Sequence, residues 1–213
     1  MRNKWGRSAL ALLLAVTMIG AGCSTDWVHQ AREIIAVLMP ATTNLVILVA
    51  TVRGQEISAE DLALVQNAGA EVRGDLNVIQ DLIGAYDSAD QKAKPGILTQ
   101  IQSAIQAAQE NLQGLAQGLH IKDRTTQAKV TAVLGILLAE VQSLAAILPV
   151  VQRQGTGIGG QGAEARSRGA GVRPKKPLSA SAFVKSYNAT MRASTGRAEL
   201  DRVSVGLQLH GTR

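Results

Sequence analysis

The chain has 213 residues, 46% of them apolar, and a formal net charge of +6. That length suits one domain plus a tail, and an aromatic content of only 2% leaves no base-stacking platform for nucleic acid and points to a Leu, Ile, Val and Ala core, more suited to helix packing than to a β-sandwich. Cys23 is the only cysteine, so a disulfide within the chain is excluded.

The first element reads as an export signal. Arg2, Lys4 and Arg7 give a basic start, residues 9–16 are an apolar run, and the small residues Gly20, Ala21 and Gly22 abut Cys23. The run is too short for a comfortable membrane span. Small residues directly before a cysteine resemble the lipobox of bacterial lipoproteins. The resemblance covers the first 24 residues and implies a signal peptide over 1–22. It also implies a diacylglyceryl group on the Cys23 thiol and cleavage between Gly22 and Cys23, with acylation of the new amino group. Two or three acyl chains anchor stably where one is marginal. Gly20 stands where the family usually has Leu, with Ile19 one residue further back. Ser24, in place of the Asp that favours inner-membrane retention, implies the periplasmic face of the outer membrane in a two-membraned bacterium.

Residues 23–153 read as four helices whose apolar residues alternate by three and four. The first keeps Val28, Ala31, Ile35, Leu38, Thr42, Leu45, Val49 and Val52 on one seam, and Pro40 should kink it. The second starts after Ser58, with Asp61 at capping-box spacing, and its seam is Leu62, Val65, Gly69, Val72, Leu76, Ile79, Ile83 and Tyr86. The third starts near Pro95, a residue suited to a first turn, and follows Ile97, Ile101, Ile105, Ala108, Leu112, Leu115 and Leu119. The fourth is capped by Asp123 and follows Val130, Leu134, Leu137, Val141, Leu144, Leu148 and Val151. Similar lengths and short connections near 54–58, 87–94 and 119–123 predict an all-α fold, an antiparallel four-helix bundle.

Beyond Arg153 the composition changes. Residues 154–171 are rich in Gly and lack periodicity, as expected of a linker. Arg173, Pro174, Lys175, Lys176 and Pro177 form a compact basic element. Residues 179–193 could form a short amphipathic helix carrying Phe183, Val184, Tyr187 and Met191, and residues 197–209 another helical segment or a strand. Charge divides as +3 over 1–23, −4 over 24–153 and +7 over 154–213. A flexible basic tail over 154–213 is therefore expected to meet an anionic envelope component or a partner protein. Export disfavours nucleic acid as that partner.

No residue pattern motivates catalysis. His29 and His120 fall at opposite ends of the expected bundle, and no Glu-x-x-His pair of the di-iron type occurs. His29 and Glu33 are four apart and read as a surface pair. The expectation is no enzyme, no catalytic or metal residues, and no cofactor other than covalent lipid on Cys23. Glu140 interrupts the apolar stretch 130–152 and is expected at a bundle edge, or with a partner if buried. The function expected is a non-enzymatic scaffold or interaction module, anchored to a membrane of the bacterial envelope through its lipid. The alternatives are an integral membrane protein, a pore or accessory subunit with spans at 34–52 and 130–152, and an apolar-ligand carrier.

Overall fold

The structure is a computed structural model that describes residues 26–52, 57–149 and 178–210. It is all-helical, with six helices among the described residues: α1 Asp26–Thr51, α2 Ala59–Ser88, α3 Lys94–Gly118, α4 Arg124–Ile147, α5 Ala180–Arg192 and α6 Ala198–Gly206. Four of the helix starts have a local cause. The Ser58 hydroxyl accepts from the Asp61 amide at 3.0 Å and donates to the Asp61 carboxylate at 2.6 Å. The Asp123 carboxylate accepts from the Thr126 amide at 2.7 Å, and Ser179 caps α5 through the Ala182 amide at 3.3 Å. These side chains take up amide groups that a helix start leaves unpaired. Pro95 sits in the first turn of α3, where its missing N–H costs nothing.

All eight seam residues expected in the first helix are buried, as are all eight in the second. In α3, Leu98 is buried and Ile97 only partly so, a shift of one position at the helix start. Val151 of the fourth seam lies outside the described residues. α1 runs unbroken through Pro40, whose ring lies on the exposed side.

Among the first four helices, α1 touches α2 and α4, and α3 touches the same two. In two of these neighbouring pairs the side-chain contacts have one residue number rising as the other falls. Along α1 and α2, Arg32 meets Asp87 at 3.4 Å, and the Arg73 guanidinium donates to the Thr43 hydroxyl at 3.3 Å. Along α2 and α3, the Asn111 amide donates to Asp75 at 3.1 Å, and the Lys94 ammonium stands 4.9 Å from the centre of the Tyr86 ring. Glycine permits the closest approach: a Cβ on Gly69 would lie 2.6 Å from Cγ2 of Val46. At the end of the core where α1 begins, Trp27 and Tyr86 meet edge to face, their centroids 4.9 Å apart.

The C-terminal region departs from the expected flexible tail. Residues 150–177 and 211–213 lie outside the described residues, and with them the basic element 173–177. Residues 178–210 form two helices packed on the core, α5 against α1 and α4, and α6 against α1 and α5. The amphipathic segment expected at 179–193 is found as α5, and of the two alternatives open for 197–209 the helical one is found as α6. Phe183, Tyr187 and Met191 recur every four residues, so one face of α5 is apolar, and all three are fully buried. The Phe183 and Tyr187 rings stack with centroids 5.9 Å apart. Leu200 of α6 and Leu209 beyond it are also buried.

Candidate functional site

α4 carries two buried stripes. The first is the seam from Val130 to Leu144 that packs into the core. The second is Thr126, Lys129, Val133, Ile136, Glu140 and Ser143, buried except for half-buried Ile136. Its spacing of three and four is helical, but four of its six members are polar, so a search for apolar residues passes over it. α5 and α6 cover this stripe, and two of its polar members, Lys129 and Ser143, bond to residues 178–210.

Lys129 is the main anchor. Its ammonium donates to the Ala193 carbonyl at 2.7 Å and to the Ser204 hydroxyl at 2.8 Å, and stands 3.8 Å from an Asp201 carboxylate oxygen. Ala193 closes the C-terminal end of α5, where the helix dipole favours a cation. Burial pushes the Lys129 ammonium below the usual lysine range, opposed by the nearby Asp201 charge. Asp201 in turn organises the turn between α5 and α6. It accepts from the Ser194 hydroxyl at 2.7 Å and from the Thr195 amide and hydroxyl at 2.8 Å each. These hydrogen bonds, that from Ser194 foremost, hold its carboxyl down at about 2. Gly196 in the same turn has φ of 78°, which L side chains rarely adopt.

The other end of the stripe is pinned by Ser143, whose hydroxyl accepts from the Leu178 amide at 3.0 Å. On α1, the Asn44 amide donates to the Leu207 carbonyl at 2.7 Å. Asn188 closes the C-terminal segment onto α5, donating to the Leu209 carbonyl and accepting from its amide, both at 2.8 Å.

Glu140 lies between the two anchors and departs from the edge position expected of it. It is fully buried, and neither carboxylate oxygen has a hydrogen-bond partner among the described residues. The sequence reading misses this because Glu140 is adjacent to seam residue Val141 and is counted on the open side, which α5 covers. Burial raises its carboxyl from 4.5 to about 7. The Tyr187 hydroxyl is also buried without a well-formed hydrogen bond, and burial pushes its ionisation above the usual tyrosine range.

His29 and His120 stay apart. His29 lies 3.6 Å from Glu33 on exposed α1, and His120 lies 3.6 Å from Asp61. Those two sites adjoin opposite ends of α2, because Arg32, one turn from His29, meets Asp87. Among the described residues no cluster of His, Cys, Asp and Glu could hold a metal. A groove of about 520 Å³ runs between α4 and α5, with Ala128, Lys129, Ala132, Ala189 and Thr190 in its walls. Its one cationic group is engaged with Ala193, Ser204 and Asp201. Gly22 and Cys23 lie outside the described residues. The chain matches no protein-family model, no curated protein and no solved structure.

Proposed function

We propose that the protein is a lipid-anchored lipoprotein of the bacterial envelope, acting as a non-enzymatic scaffold or interaction module. Its body is an antiparallel four-helix bundle buttressed by a C-terminal helical pair. The observation that carries the anchor is the sequence around Cys23: a basic start, a short apolar run and small residues abutting the only thiol. α1 begins at Asp26, so an acylated Cys23 would hold the bundle close to the membrane surface. The basic charge at 166–177 would then meet an anionic envelope component or a partner protein. Mass analysis of the intact, membrane-purified protein tests the anchor. A chain beginning at Cys23 with added acyl mass supports it, and a chain that keeps residues 1–22 or is cut elsewhere without lipid refutes it.

The integral-membrane reading keeps one observation in its favour. α1 and α4 are long and apolar enough to cross a membrane, with mean hydropathies of 2.1 and 2.0. Against it, each helix already has a neighbour for its apolar faces. α1 touches α2, α4, α5 and α6, while α4 touches α1, α3 and α5, and a core helix that is apolar on several sides passes the same length and hydropathy test. An alkaline carbonate wash of the Cys23→Ala protein separates the two: release supports the bundle, and retention in the membrane supports spans.

A further inference from the structure

The second stripe of α4 is bonded to the C-terminal pair at both ends and holds an unbonded acid between them. We propose that ionisation of Glu140 undocks α5 and α6 from α1 and α4, so that the C-terminal helices are a cover operated by pH. The geometry makes Glu140 the weak point of this interface. Lys129 binds Ala193 and Ser204, and Ser143 binds Leu178, so α5 lies along α4 from one anchor to the other. Glu140 is one turn before Ser143, which puts it at the level of the first turn of α5. A neutral carboxylic acid tolerates an apolar site far better than a carboxylate does.

No neighbouring charge offsets the burial. The titratable groups on the helices that touch α4 are Asp26, His29, Arg32 and Glu33 on α1, Lys94 and Glu110 on α3, and Lys185, Tyr187 and Arg192 on α5. The charged ones are exposed, apart from half-buried Lys94, and Tyr187 is buried and neutral. Within α4, Lys129 is three turns away and committed to Ala193. The carboxylate must therefore find water, and α5 is the covering helix that moves most easily. α1 and α3 are each held by two of the first four helices, whereas α5 and α6 rest on their outer side. Undocking exposes Phe183, Tyr187 and Met191, together with the stripe they cover.

A carboxyl at about 7 in the docked state and at the ordinary 4.5 when hydrated weakens docking by at most about 30-fold between pH 5.5 and 8.5. Hydrogen exchange read by mass spectrometry on the intact chain, corrected for the pH dependence of intrinsic exchange, measures this directly. Peptides from 178–210 are expected to lose protection as pH rises, with the midpoint of its logarithm near pH 6 and a level stretch above about 7, while peptides from α2 and α3 keep theirs. Glu140→Gln and Glu140→Leu should each abolish the midpoint. Wild-type protection of 178–210 that is constant over this range overturns the proposal even without a variant. The same midpoint in both variants overturns it too, as does simultaneous loss of protection in all helices.

Discussion

Replacing Lys129 by Met tests whether this lysine is the fastener of the C-terminal pair. The substitution keeps the stem length and apolar packing and removes the ammonium. What is lost is a charged donor to the Ala193 carbonyl at 2.7 Å and to the Ser204 hydroxyl at 2.8 Å, with Asp201 at 3.8 Å. A hydrogen bond from a charged group contributes about 1.5–3 kcal/mol. Burial of the ammonium opposes this, as its lowered pKa shows. Asp201 keeps Ser194 and Thr195 and stays partly hydrated, so the substitution does not leave it isolated. The net expected loss is about 3 kcal/mol, or a melting temperature lower by roughly 6–12 °C in a domain of this size. Differential scanning calorimetry of the purified chain at constant pH reads it, and Ser204→Ala alone and combined with Lys129→Met reads the coupling between the two groups. An unchanged melting temperature in Lys129→Met would refute the fastener. A higher one would mean that burying the charge costs more than its bonds return.

The remaining expectations are shorter. Glu140→Leu should raise stability at pH 8 by about 3 kcal/mol and change it little at pH 4. The folded carboxyl lies above its unfolded value, so the wild type is most stable below about 4.5, loses stability as pH rises to about 7, and is level beyond; urea titrations across that range show the slope or its absence. Gly69→Ala should destabilise by about 1–3 kcal/mol, because the β-branched Val46 cannot swing clear of the new methyl. Gly74→Ala, where a Cβ meets open space, should stabilise by roughly 1 kcal/mol, and thermal melts of the pair check the opposite signs. Removing 178–213 should lower the melting temperature and promote self-association, since it uncovers Val133, Glu140 and the outer side of α1; an intact melting profile in a monomeric product would show that the pair contributes nothing to the core. Cys23→Ala should move the protein from the membrane to the soluble fraction.

The parts legible in the sequence were those with one apolar face and one period. α2 shows this best: every residue of its expected seam is buried, because it has neighbours on one side only. Pro95, Ser58 and Asp123 mark helix starts through local chemistry that needs no tertiary context. The docked tail was harder to read because its receiving surface is polar in composition. Thr126, Lys129, Glu140 and Ser143 look like solvent-facing residues until α5 is placed over them. The apolar excess of α1 was ambiguous for a related reason, since a helix surrounded by protein and a helix surrounded by lipid differ little in composition. The Cys23 boundary was legible only as a motif, and the packing of the described helices does not depend on it.

The contact between Asn44 and Leu207 joins positions 163 residues apart, and this has a consequence for how the chain matures. Synthesis delivers α1 well before α6. Pairings of such long sequence separation also form late, because loop closure precedes any gain from the contact. Until residues 178–210 emerge, one side of α1 and the second stripe of α4 are bare. A chain that stops before residue 178 would be helical and collapsed yet sticky, recognisable to chaperones and proteases by the surface that α5 and α6 normally cover. Docking of α5 and α6 would thus be the step that withdraws these surfaces from neighbouring molecules.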